Sequence, residues 1–89
     1  MTKEEATAKA RKDLANRLGL DENQVTEQSV SDTDFPDMAL GAAAAGEMSG
    51  QMITRGWKIQ LKAGGQTYEY RADKNQLRLF KFKGKNYKI

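Results

Sequence analysis

Trp57-Lys58-Ile59-Gln60-Leu61-Lys62-Ala63-Gly64-Gly65-Gln66-Thr67-Tyr68-Glu69-Tyr70-Arg71-Ala72 is the stretch that decides the fold. Trp57, Ile59 and Leu61 alternate with Lys58, Gln60 and Lys62, and Tyr68, Tyr70 and Ala72 alternate with Thr67, Glu69 and Arg71. Alternation with a period of two is the signature of a half-buried strand. Between the two runs, Gly64-Gly65 can take the positive φ angles that a two-residue hairpin turn requires. Folding about that turn sets Leu61 opposite Tyr68, Ile59 opposite Tyr70 and Trp57 opposite Ala72, all on one face. The other face pairs Lys62 with Thr67, Gln60 with Glu69 and Lys58 with Arg71. Only the last of these places like charges opposite each other.

Beyond the hairpin, Asp73-Lys74-Asn75-Gln76 reads as a second turn and Leu77 to Lys83 as a third strand, with Tyr87 to Ile89 extending it or fraying. A two-residue turn at Lys74-Asn75 brings Leu77 opposite Ala72 and Leu79 opposite Tyr70. Phe80 and Phe82 then face outward beside Lys58, Lys62, Arg71 and Arg78. A loop longer by one residue reverses every side chain and buries both rings. The sequence is compatible with either register.

Toward the N-terminus, Thr2-Lys3-Glu4-Glu5 reads as a capping box. Ala6, Ala10, Leu14 and Leu18, with Ala15 beside them, then form a narrow apolar stripe at helical spacing. Gly19 stands where a left-handed cap ends a helix. A helix over 3–18 is predicted, lying close against a sheet because its stripe is rich in alanine. Leu20 to Gln24 reads as a turn, Val25 to Val30 as a strand near an edge, and Ser31 to Pro36 as a loop. Residues 37–50 read as a loop, since Gly41, Gly46 and Gly50 interrupt any helix. Few large apolar residues anchor that loop, so it is expected to be the most mobile internal segment. Trp57 is expected to be buried against Leu14 and Leu18.

The whole is one small α+β domain over 1–89, a single helix packed on an antiparallel sheet of about four strands. No apolar run approaches the ~20 residues of a membrane span. The polar start Met1-Thr2-Lys3-Glu4-Glu5 lacks a signal-peptide core. Localisation stays open: cytoplasmic if that start is native, exported or in the cell envelope if a signal peptide has been removed. The chain contains neither Cys nor His. Disulfides, thiol nucleophiles, imidazole bases and zinc sites built on those residues are thereby excluded. The net charge of +3 conceals an asymmetry: residues 1–54 carry five Lys/Arg against ten Asp/Glu, and residues 55–89 carry ten against two.

Three stretches together resemble a small uncharacterised bacterial domain family. They are Phe35-Pro36-Asp37-Met38-Ala39-Leu40-Gly41, then Gly56-Trp57-Lys58-Ile59-Gln60-Leu61, then Gly65-Gln66-Thr67-Tyr68-Glu69-Tyr70. Members carry Trp-Pro-Asp-x-x-Leu-Gly, then Cys-Pro-x-Pro-Gly, an aromatic-x-Ile-x-Leu strand, a Gly-bearing turn and Tyr-x-Tyr-His. The helix end, Asp13-Leu14-Ala15-Asn16-Arg17-Leu18-Gly19-Leu20, fits the family's opening, so the likeness spans about 6–73. This chain has Ala42-Ala43 in place of Cys-Pro and Arg71 in place of the His, so no activity resting on that Cys or His can operate here. The resemblance implies the fold and no established reaction, and its members often follow an export signal.

Candidate chemistry is sparse. Asp32, Asp34 and Asp37 lack the spacing of a calcium loop, and Asp37 suits the cap of the turn that follows it. Asp37 and Glu47 are the only nominees for a carboxylate pair, and nothing in their spacing selects them. No nucleophile elbow, phosphate loop or dinucleotide fingerprint occurs. No enzyme activity, cofactor or metal is therefore expected. The expected function is non-catalytic binding, through the loop over 31–50 or the basic outer face formed by Lys58, Lys62, Arg71, Arg78, Phe80 and Phe82. One alternative is nucleic-acid or other anionic-polymer binding by stacking on that face. Another is a small enzyme or an enzyme inhibitor. The partner is a protein or an anionic polymer, and the domain itself is expected to be a monomer.

Overall fold

A computed structural model describes all residues, Met1–Ile89. Its elements are helix α1 (Lys3–Leu18), a short 3-10 turn (Glu22–Gln24), and strands β1 (Thr26–Phe35), β2 (Thr54–Ala63), β3 (Gln66–Ala72), β4 (Leu77–Phe82) and β5 (Lys85–Lys88). The strands form one antiparallel sheet in chain order, five rather than about four. The fifth, Lys85–Lys88, overlaps Tyr87 to Ile89, which the sequence left between extension and fraying.

The helix obeys its local signals. The Thr2 hydroxyl accepts from the Glu5 N–H, and the Glu5 carboxylate accepts from the Thr2 N–H at 2.8 Å. Gly19 closes the helix at φ 67°, a left-handed conformation that glycine adopts without a Cβ penalty. Ala6, Ala10, Leu14 and Ala15 are buried against Ile59, Leu61, Tyr70 and Leu79. Small helix residues bring the backbone close enough for one polar tie across the layers. The Tyr70 hydroxyl donates to Asp13 at 2.7 Å, and Arg17 donates to the same carboxylate oxygen at 2.7 Å. Burial, reinforced by that bond to a negative partner, pushes the Tyr70 phenol well above its ordinary pKa.

The hairpin pairs as its alternation requires, including Leu61 with Tyr68, Ile59 with Tyr70 and Lys58 with Arg71. The second turn is the two-residue version, with Leu77 opposite Ala72 and Leu79 opposite Tyr70. Three expectations are corrected. First, β1 does not stop at Val30 but runs through Ser31–Asp34 to Phe35, paired with β2 along that length. Second, Trp57 is half-buried at the margin of the core that contains Leu14, rather than buried between Leu14 and Leu18. It pairs with Asp32, whose carboxylate lies 3.9 Å from Lys3 at the start of α1, whereas Leu18 at the far end of the helix lines a hollow with Tyr68 and Phe82. Third, Phe80 and Phe82 do not share a face. Lys81 takes φ 49° and the β4–β5 register shifts between Leu79 and Phe82, so the strand gains a bulge. A bulge moves the following side chain to the opposite face. Phe82 thereby packs beside Tyr68 and Tyr87, against the helix-side core.

If the Tyr70–Asp13 bond ties helix to sheet, Tyr70→Phe should lower stability by about 1–2 kcal/mol in urea unfolding while leaving the far-ultraviolet spectrum unchanged. A change near zero would show that Asp13 is held by Arg17 alone.

Candidate functional site

The outer face of the sheet is not open. Phe35, Ala39, Leu40 and Ala42 are buried apolar residues that lie outside the helix-side core. They form a second, smaller core where the segment after β1 folds back over β3 and β4. Pro36 ends the strand, and the Asp37 carboxylate accepts from the N–H groups of Ala39 and Gly41, both at 2.9 Å. Asp37 is thus the turn cap that its position suggested. Leu40 and Gly41 turn the chain through φ 61° and 63°, which for leucine is a strained conformation. Complete burial of the Leu40 side chain holds it there.

Two arginines fasten this segment. Arg71 donates to the carbonyls of Leu40 and Gly41 at 3.0 and 3.3 Å and to Glu69 at 2.6 Å. Its guanidinium lies 3.6 Å from the Phe80 ring centroid and 5.4 Å from that of Phe35. Arg78, with 3% of its side chain exposed, makes a two-pronged pair with Glu47, 2.8 Å on its second nitrogen, and reaches the Ala42 carbonyl. The Asn86 amide donates to the Ala43 carbonyl at 2.9 Å. Of the six residues assigned to a basic outer face, Arg71 and Arg78 are therefore committed beneath the loop, Phe80 is stacked on Arg71, and Phe82 lies on the helix side. Lys58 and Lys62 remain on the outer face without an ion pair. The six do not form one surface. Arg71 thus grips the backbone immediately before Ala42-Ala43.

The same loop builds a groove at one end of the sheet, past the start of the helix. The Met38 N–H donates to the Gly50 carbonyl at 3.0 Å, and Gln76 donates to the Met38 carbonyl at 2.8 Å. Asp73 accepts from the N–H groups of Asn75 and Gln76 and so fixes the β3–β4 turn as the opposite wall. Gly56 lies flush against the Ala72 carbonyl, where a Cβ would come within 2.1 Å. The cavity holds about 640 Å³ and is lined by Met38, Met52, Ile53 and Trp57 among polar neighbours that include Asp32, Arg55 and Lys74. Met38, Met52 and Ile53 are 49%, 65% and 71% exposed, and Met48 on the same loop is 95% exposed. The expected binding loop, 31–50, includes Met38 but stops short of Met52 and Ile53. The available signal was five large apolar side chains over 38–53, of which only Leu40 is buried, in a stretch otherwise made of Gly, Ala, Ser and polar residues.

Residues 7–80 match a protein family described as a domain of unknown function, DUF8738. The chain belongs to that family. The matched span agrees with an uncharacterised small domain, and it covers the helix from Thr7, the loop, the groove and the sheet as far as Phe80. Comparison with curated proteins and with solved structures gives no match.

The Arg78 guanidinium, with the Ala44 N–H, holds the Glu47 carboxyl at about 2, far below its ordinary 4.5. A lowered folded-state pKa stabilises the fold above the ordinary value, and that contribution fades as pH falls from 4.5 toward 2. Wild-type protein should therefore lose more stability between pH 5 and pH 2.5 than Glu47→Gln, measured by urea unfolding. Parallel curves for the two would show that the ion pair adds no acid sensitivity.

Proposed function

We propose that the domain is a non-catalytic binding module whose recognition surface is the groove walled by Met38, Met52 and Ile53 beside Trp57. One observation carries the reading. Large apolar side chains stand exposed together on a segment whose backbone is held at several points by hydrogen bonds. Contiguous apolar exposure of this kind marks interaction sites. Methionine suits such a surface because its unbranched, polarisable side chain adapts to partners of varied shape. Rigid backbone beneath flexible side chains lowers the ordering cost of binding.

The occupant favoured by this geometry is a protein segment offering one or two apolar side chains. A purely catalytic reading has less to stand on. Asp37 spends its carboxylate on its own turn, Glu47 is paired with Arg78, and Asp73 caps the β3–β4 turn. The anionic-polymer reading retains Lys58 and Lys62 but loses its stacking platform, since Phe80 is occupied by Arg71 and Phe82 packs on the other face.

Selection of displayed random peptides on the immobilised domain tests the reading. The single tryptophan reports occupancy directly. Selected peptides should carry an apolar anchor, change the Trp57 emission on titration, and lose at least tenfold in affinity for Ile53→Ser and Met52→Ser, both exposed positions where the fold should tolerate the change. Peptides that bind these variants as tightly as wild type, or a failure to enrich any sequence, would overturn it.

A further inference from the structure

The charge asymmetry of the sequence becomes a polarity of the sheet. No Lys or Arg occurs between Leu18 and Arg55, and the acids of that span include Glu27, Asp32 and Asp34 on β1. No Asp or Glu follows Asp73, and Lys81, Lys83, Lys85 and Lys88 gather on the β4–β5 hairpin. Strands β1 and β5 are the two edges of the sheet. They stand about 19 Å apart at ordinary strand spacing. No backbone hydrogen bond reaches the outer side of either edge, and no ion pair involves Glu27, Asp34 or any of the four lysines.

Charged edge strands usually prevent sheets from joining, because like edges repel. That protection fails when the two edges have opposite sign. β1 against β1 and β5 against β5 remain repulsive, but β5 of one copy against β1 of the next is attractive. Strand directions alternate across five antiparallel strands, so β1 and β5 run the same way. A second copy displaced along the sheet therefore offers its β1 parallel to β5 and keeps its helix on the same side. We propose that the domain associates head to tail with further copies of itself, the acidic β1 edge of one against the basic β5 edge of the next. Such a contact is heterologous and does not close on itself, so it generates open chains rather than a symmetric dimer. With only the four residues of β5 to contribute, about 13 Å of strand, the association is weak and depends on charge.

Sedimentation velocity of the whole chain across a wide concentration range tests this at about 20 mM and about 500 mM salt, where screening differs severalfold. The sedimentation coefficient should rise with concentration at low salt and stay that of a monomer at high salt. Lys85→Gln with Lys88→Gln, and separately Glu27→Gln with Asp34→Asn, should each reduce the low-salt association. All four positions are exposed or partnerless, and circular dichroism checks that the folds persist. Mixed together, the two variants retain one intact β1 edge and one intact β5 edge, so they should give dimers and nothing larger. A monomer at every low-salt concentration overturns the proposal. So does association that both edge variants leave unchanged, including association that disappears only in Ile53→Ser and so belongs to the groove.

Discussion

The guanidinium of Arg71 is the contact on which the outer half of this structure depends. A cation taken out of water is costly unless its donors are met and its faces covered. Here one edge of the guanidinium meets Glu69, another meets the carbonyls of Leu40 and Gly41, and the Phe80 ring stacks at 3.6 Å. Those carbonyls belong to a tight turn in left-handed backbone, which cannot pair with a strand. The arginine supplies the hydrogen bonds that the turn lacks. Gly41 is required at that point for a second reason, because a Cβ there would lie 2.7 Å from the Arg71 nitrogen. Removing the guanidinium would leave buried carbonyls unpaired and loosen the segment that forms one wall of the groove.

The two faces of the sheet are held by different physics. On the helix side, apolar contact dominates, and the half-buried bond from Tyr70 to Asp13, with an exposed ion pair from Lys3 to Asp32, ties the helix to the sheet. On the outer side the buried apolar residues are few, and polar groups do most of the fastening: Arg71 and Arg78 from the sheet, Asn86 from β5, and Asp37 and Glu47 from the loop. Net contributions of such bonds are modest individually, near 1 kcal/mol. The loop should therefore sit nearer the low end of the domain's local stability than the helix-side core does. It is nevertheless well defined, since most of its anchors act on the backbone, the Arg78–Glu47 pair being the exception.

What the sequence made legible follows from this division. The helix was readable from its capping box and alanine stripe, and the hairpin from two alternating runs about Gly64-Gly65. Both are local patterns with a fixed period. The second turn was readable as one of two registers. Phe82 was not, because the bulge rests on Lys81 in positive φ, held by the Asn86 side-chain oxygen accepting from the Lys81 N–H at 2.8 Å. Neither residue announces a bulge, and a period-two reading carries straight through it. The extension of β1 was hidden for a related reason: Ser31, Asp32, Thr33 and Asp34 have the composition of a loop, yet pairing with Lys58–Arg55 supplies their hydrogen bonds. The outer face looked solvated because arginines on a strand read as exposed. Their long-range partners are the carbonyls of Leu40, Gly41 and Ala42 and the Glu47 carboxylate, some thirty residues away, which no local pattern can reveal.

For the same reason the loop was legible as a candidate site although its contact residues were not. Gly, Ala and Pro spacing marks a segment that leaves regular structure, and such segments carry function when a scaffold holds them. Which side chains face outward depends on where the backbone is pinned. Here Met38 bonds through its N–H to Gly50 and through its carbonyl to Gln76, and its thioether lies against Gly50 on the wall of the groove. Fixing the backbone through main-chain atoms leaves the identity of residues 48, 52 and 53 almost unconstrained by folding. Large apolar residues placed there lower solubility without adding to the core, so their presence needs a source other than stability. A partner that covers them provides one.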